Sequence, residues 1–253
     1  MRVDVAHPGR LGNAKSSNKL EGVRTGADDS SGHGMKIESY LREQTRRLFP
    51  VSPDFGDAET VHRMRVASRR LRVGLQFLGV RREPQLGRLG RALGAVRVLD
   101  VNLALLREAP VRCPALERQL ARARRERLSV LRKLHRMTKP VALRRGKPDV
   151  RRALAELHRV LRKRLARFDG EPSFHKLRIA VKKYRYGLEI AGATGRLKPV
   201  KRLQELMGDC HDVEVLLECL PAGPLKEYFK KEHRNRFARV KKFLDGGRRW
   251  ARK

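Results

Sequence analysis

One eleven-residue pattern occurs twice in the 253-residue chain, and it restricts the fold more than any other feature. His62-x-x-Arg65-Val66-Ala67-Ser68-Arg69-Arg70-Leu71-Arg72 returns as His175-x-x-Arg178-Ile179-Ala180-Val181-Lys182-Lys183-Tyr184-Arg185. Each copy is a histidine followed by cations at +3, +7, +8 and +10, with apolar or small residues between them. On an α-helix turning about 100° per residue, His62, Arg65, Arg69 and Arg72 fall within a sector of roughly 80°. Met64, Ala67, Leu71, Leu75 and Leu78 gather on the opposite side, so one face suits a core and the other is a row of positive charge.

The rest of the chain is also helical in pattern. Aromatic residues make up 5% of it and β-branched alternation is scarce, which argues against a sheet. Residues 1–34, rich in Gly, Ser, Asn and charge without periodicity, read as a disordered leader, and periodicity begins near Met35. Pro50, Pro53 and Gly56 separate a first helix from a second, which Asp57 is placed to cap and Gly79 to end. Pro84, Pro110 and Pro114 bound a third segment, with a possible bend at Gly94. A long basic helix is expected over Pro114–Met137 and a linker over Pro140–Pro148. The second half repeats the order: a helix to about Phe168, a break at Gly170 and Pro172, and the second histidine helix. Breaks near Gly195 and Pro199 precede a helix near Leu203–Leu220, and Pro221–Pro224 precedes a final basic helix ending near Gly246.

His62 precedes Gly94 by 32 positions and His175 precedes Gly208 by 33, as a duplication of about four helices per half requires. The expected architecture is all-α: a compact helical domain over residues 35–246, built of two four-helix repeats (about 35–139 and 147–246) with pseudo-two-fold symmetry. Residues 247–253 form a basic tail.

The charge bounds the function. With 61 Lys+Arg against 27 Asp+Glu, the formal net charge is +34, a self-repulsion that a polyanionic partner relieves. A cation at each helical turn, roughly every 5 Å, matches a linear polymer of phosphates better than one small metabolite. Arginine supplies bidentate bonds to phosphate oxygens, and lysine a point charge. A solvated surface would also carry such rows; their duplication, each opened by a histidine, favours a site. Cations around the histidines disfavour imidazolium until a polyanion binds, so affinity is expected to rise as pH falls through the histidine range.

A second element repeats: Leu93-Gly94-Ala95-Val96-Arg97-Val98-Leu99-Asp100-Val101 against Met207-Gly208-Asp209-Cys210-His211-Asp212-Val213-Glu214-Val215. Gly94 and Gly208 suit a close helix crossing or a turn. His62 and His175 lack ligands at metal spacing, and Cys210, His211 and Asp212 lack a supporting set, so neither metal nor cofactor is expected. Cys113, Cys210 and Cys219 have no paired spacing and suggest reduced thiols. No apolar run reaches membrane-span length and no secretory signal opens the chain, which reads as cytoplasmic.

The two histidine elements, each followed about thirty residues later by G-x-x-[RH]-x-x-[DE]-V, resemble the CHAD domain (conserved histidine α-helical domain) from about Met35 to Leu244. The resemblance implies an all-helical fold of two four-helix repeats, binding of inorganic polyphosphate and association with polyphosphate granules. It places His62, Arg65, Arg69, Arg70 and Arg72, with His175, Arg178, Lys182, Lys183 and Arg185, on the phosphate-binding surface. Arg97, His211, Arg42 and Arg46 are secondary candidates. The family's third-helix element usually reads Arg-Asp; here Arg97-Val98 departs from it while His211-Asp212 keeps the acid. No Glu-x-Glu-x-Lys strand, P-loop or H-E-x-x-H is present, so a non-catalytic binder is expected. The alternatives are nonspecific nucleic-acid binding, an accessory role beside phosphate-transferring or triphosphate-hydrolysing enzymes, and phosphoryl acceptance by His62 or His175. Membrane binding is not expected.

Overall fold

The computed structural model describes residues 30–80, 83–141 and 149–247. Among them are eight α-helices and no strand: α1 (Ser30–Leu48), α2 (Ala58–Phe77), α3 (Pro84–Glu108), α4 (Pro114–Met137), α5 (Val150–Ala166), α6 (Glu171–Ala191), α7 (Leu197–Cys219) and α8 (Pro224–Gly247), with a 3₁₀ turn at Thr194–Arg196. Residues 30–34, expected in the leader, belong to α1. The rest of that leader, most of the 140–148 linker and the basic tail from 248 lie outside the described residues.

Local chemistry accounts for the boundaries. The Asp57 carboxylate accepts from the backbone N–H of Glu59 at 3.1 Å and of Thr60 at 2.8 Å, capping α2. At the other end Gly79, with φ +76°, takes the left-handed conformation, and the N–H groups of Gly79 and Val80 donate to Gln76 and Leu75. Pro84 and Pro114 occupy first turns, where the missing N–H leaves no bond unmade. The break expected at Pro199 is not found, for the same reason. It is the third residue of α7, still among the N–H groups that have no intrahelical partner, so the helix starts at Leu197 and runs through it.

Consecutive helices pack as neighbours within each half, α1 on α2, α2 on α3 and α3 on α4, then α5 on α6, α6 on α7 and α7 on α8. Across the middle, α2 packs on α6 and α3 on α7. One core cluster joins α1, α2 and the start of α3 through Leu41, Met64, Leu71 and Leu89, and takes in Tyr186 and Ile190 of α6. A second joins α5–α8 through Leu161, Val181, Met207 and Val240. A third binds the far ends of α3, α4, α7 and α8 through Leu106, Leu120, Leu216 and Phe229. Each fully buried Leu, Val or Phe contributes roughly 1.5–3 kcal/mol, which offsets the repulsion of so cationic a chain.

Two glycines set how closely the hairpins close. A Cβ at Gly74 would collide with Leu41 Cδ2 of α1, and one at Gly187 would stand 2.7 Å from Leu157 Cδ1 of α5. Both glycines lie twelve residues after their histidines. The close crossings expected at Gly94 and Gly208 are here instead. A Cβ on Gly208 would meet nothing within 4 Å, and one on Gly94 only Arg65 Nε at 3.7 Å.

Candidate anion-binding trough

The packing of α2 on α6 decides what the two basic rows become. Met64, Ala67, Leu71 and Leu75 sink into the first core, and Leu177, Ala180, Val181 and Tyr184 into the second. The polar faces left over meet along the α2–α6 contact and open into two adjoining cavities. The narrow one, about 150 Å³, is lined by His62, Arg65 and Arg69 from α2, Arg97 from α3, Arg178 and Lys182 from α6, and His211 and Asp212 from α7. The wide one, about 890 Å³, is lined by Arg69 and Arg72, by Arg88 and Arg91 of α3, and by His175, Arg178, Lys182 and Lys183. Arg69, Arg178, Lys182 and Tyr186 line both, so the cavities form one trough.

Its electrostatics are those of like charges held together in a poorly hydrated place. Burial first, then Arg178, Arg69 and Arg65, bring the Lys182 ammonium down to about 6. Burial, then the neighbouring Arg69 and Arg178, lowers Arg65 to about 10. Burial likewise brings Arg178 to about 10, against the opposing pull of Asp212. Both guanidiniums therefore stay charged at neutral pH. Burial, then Arg97, holds His62 below its ordinary value, and burial, then Arg178, does the same to His211 in spite of its Glu214 partner. The Nε atoms of Arg72 and Arg178 and Nδ1 of His62 are buried without a hydrogen-bond partner. Such orphaned donors are costly unless something else occupies the site. His211 Nδ1 and Glu214 lie 2.9 Å apart, and the His175 and His211 ring centroids are 6.0 Å apart.

Four of the sequence candidates stand elsewhere. Arg70 donates through Nε and Nη2 to the two oxygens of Glu189 at 2.8 and 3.1 Å, and Arg185 Nε joins at 3.1 Å. Both are thus spent on a part-buried ion-pair knot facing α1, where Tyr40 also donates to Glu189 at 3.4 Å. Arg42 and Arg46 are exposed on α1, paired with Glu38 at 3.9 Å and Glu43 at 2.9 Å, and line neither cavity. Glu189 separates the two copies: the position that corresponds to it in the first is Gln76. Hence Arg72 stays in the trough while its counterpart Arg185 leaves, and Lys183 stays while its counterpart Arg70 leaves.

A family model of the CHAD domain matches residues 39–221. The chain belongs to the CHAD domain family. No functionally curated protein matches it. The CHAD domain from the plant Ricinus communis superposes with a TM-score of 0.58 at 24% identity, covering 88% of this chain and 91% of that one. PptA from Streptomyces chartreusis does so with a TM-score of 0.60 at 14% identity, covering 87% and 99%. At these identities the likeness is one of fold.

Within this CHAD domain, the departure at Val98 has a geometric consequence. Val98 and Asp212 occupy matching positions and both line the narrow cavity, so one carboxylate stands there rather than two. Asp212 opposes the lowering of Arg65, Arg178 and Lys182. Asp100, the acid after Val98, turns away and pairs with Arg124, whose Nη2 also donates to the Gly56 carbonyl at 2.9 Å.

Arg88 and Arg91 were not among the sequence candidates, yet they form one wall of the wide cavity. The signal lay beside them, in Gly87, Gly90 and Gly94 along one face of α3. A Cβ at Gly90 would stand 2.8 Å from Ser68 Oγ and 3.5 Å from the Arg72 guanidinium. The bare helix surface makes room for the α2 cations. Among the described residues no helix is long and apolar enough to cross a membrane, and Cys113, Cys210 and Cys219 are all free.

Proposed function

We propose that this CHAD domain binds inorganic polyphosphate in the trough between α2 and α6, without catalysis, and that this binding associates it with polyphosphate granules. One observation carries the reading. Arg65, Arg69, Arg72, Arg178 and Lys182 are gathered there without an ion pair among the described residues, and two of their Nε donors are buried and unsatisfied. A flexible chain of phosphates supplies an acceptor at each turn and removes the repulsion that depresses Lys182. Nucleic acid satisfies the charge equally, but its bases find no exposed aromatic ring on α6, where Tyr184 and Tyr186 are buried.

The test is a titration with long-chain polyphosphate, comparing the native chain with a variant carrying Gln at Arg65, Arg69, Arg178 and Lys182. The variant is expected to lose at least about a hundredfold in affinity. Its dependence of log K on log salt is expected to flatten by roughly 3, at about 0.7 per lost contact. It should melt no lower than the native chain, since the change removes mutual repulsion. Undiminished affinity, or failure of polyphosphate to displace RNA at moderate salt, refutes the reading.

A further inference from the structure

The two cavities of the trough differ in a way that a bare phosphate chain does not explain. The narrow one, with Val66, Val98, Val101 and Val215 between its cations, holds little more than a phosphate chain, whereas the wide one has room beyond it. The wide one combines its cations with the aliphatic side chains of Val73, Leu75, Val80, Pro84 and Ile179. Ile179, 41% exposed, brings an apolar surface into the row of α6 cations between Arg178 and Lys182. Phosphate oxygens gain nothing from these aliphatic groups, and an alkyl chain gains nothing from the cations and carboxylate among them.

The wide cavity also contains Glu83, whose carboxylate would repel polyphosphate. It stands at the N-cap of α3 yet makes no side-chain capping bond, so its oxygens are not spent on the helix. A carboxylate acceptor that shares one cavity with aliphatic side chains and the planar guanidiniums of Arg88 and Arg91 is suited to a flat ring carrying N–H and O–H donors. Guanidinium stacks on one face of such a ring, aliphatic groups cover the other, and a carboxylate takes an amine or ribose hydroxyl. At about 890 Å³ the cavity is of the size that receives small-molecule ligands.

We infer that the wide cavity is a nucleoside-polyphosphate site. Its base and ribose lie between Ile179 and the Arg88–Arg91 face near Glu83, and its phosphates extend over Arg69, Lys182 and Arg178 into the narrow cavity. The inference rests on the proposed reading of the trough as a phosphate-chain site and adds an end group to it. A nucleotide and the end of a phosphate chain would then exclude one another.

Calorimetry with adenosine triphosphate against inorganic tripolyphosphate, without divalent metal and at fixed ionic strength, separates the two readings. Both ligands carry three phosphates, and the inorganic one is at least as highly charged. The nucleotide is expected to bind about tenfold tighter, a difference of about 1.4 kcal/mol. Ile179→Ser and Glu83→Gln are each expected to reduce the ratio of the two affinities at least threefold. Because Ile179 is exposed, the serine variant is expected to fold, and an unchanged melting temperature checks this. Tripolyphosphate binding with no nucleotide advantage overturns the inference and leaves the phosphate-chain reading standing. Absence of nucleotide binding overturns the inference, and long-chain polyphosphate that also fails to bind in the same cell overturns the phosphate-chain reading with it. An alkyl diphosphate that binds more tightly than adenosine diphosphate shows that the cavity takes aliphatic chains, and overturns the assignment to a nucleoside.

Discussion

Lys182 is where the trough is most directly put to the test. In the free protein its ammonium is held at about 6 by burial and by Arg178, Arg69 and Arg65, with Asp212 as the opposing carboxylate. His62, Arg97 and His211 line the same cavity and bring no further negative charge at neutral pH. Lys182 is therefore mostly neutral at pH 7 and above. A phosphate chain laid over it reverses the balance, because the added negative charge stabilises the ammonium. If the complex restores the ordinary lysine value of about 10.4, binding takes up about one proton anywhere between about pH 6 and 10. Affinity then falls by up to about tenfold per pH unit as pH rises across that window. His62 and His211, both lowered, steepen the dependence only on the acid side of the ordinary histidine value.

The assay is polyphosphate affinity from pH 6.5 to 8.5 at constant ionic strength, over which interior phosphates keep a constant charge. Calorimetry at pH 8 in two buffers of different ionisation enthalpy counts the proton directly. Lys182→Gln is expected to bind more weakly at pH 6.5 but to lose the slope above pH 7. A flat native profile between pH 7 and 8.5, or a slope retained in Lys182→Gln, refutes the reasoning. The sign for stability is opposite to that of a lysine held in a salt bridge. The unfolded chain binds the extra proton below about pH 10, so this site's contribution to stability declines as pH falls from there towards 6. Lys182→Gln should flatten that part of the free protein's melting profile.

Three further substitutions probe the surroundings. Asp212→Asn removes the carboxylate that partly neutralises Arg65, Arg178 and Lys182, and is expected to tighten polyphosphate binding severalfold while lowering the free protein's melting temperature. Weaker binding in equilibrium titration would mean that Asp212 chiefly orients those cations. Glu189→Gln strands Arg70 and Arg185 in a part-buried setting and is expected to cost about 2–3 kcal/mol in urea unfolding, with polyphosphate affinity unchanged because the knot lies outside the trough. Gly187→Ala places a Cβ 2.7 Å from Leu157 Cδ1 and 3.5 Å from Phe77 Cζ of the first half. Overpacking of about 1–3 kcal/mol should outweigh the helix-propensity gain of roughly 1 kcal/mol, so denaturant unfolding is expected to show net destabilisation.

What the sequence made legible follows from which signals are local. Asp57 as a cap and the limits Pro114 and Met137 of α4 depend only on residues a turn away, and all are found where expected. Pro199 misled because proline breaks helices except in the first turn, and the start of α7 depends on the preceding 3₁₀ turn rather than on proline itself. The basic rows were legible as rows, but which cations remain available depends on where carboxylates fall after folding. Arg185 to Glu189 is an i, i+4 pair that the spacing already contains; the capture of Arg70 by the same acid needed the α2–α6 packing. Arg88 and Arg91 were missed because α3 carries its charges beside glycines, and only the neighbouring helix shows why that face is bare.

The same accounting explains why this fold holds its charge open. At Glu43, Glu189 and Asp100 an acid pairs with the arginine beside it and neutralises it. At the α2–α6 seam the corresponding positions are Gln76 instead of an acid matching Glu189, Val98 instead of an acid matching Asp212, and bare glycines along α3. The trough's positive field is thus set less by how many cations the chain has than by where acids are missing. On this account, Val98→Asp should weaken polyphosphate binding more than adding an acid at any exposed site of equal net charge. A surface control such as Gln119→Glu on α4, which lines neither cavity, separates local neutralisation from the chain's overall charge in the same titration. Equal effects of the two would show that the seam itself is not what the polyanion reads.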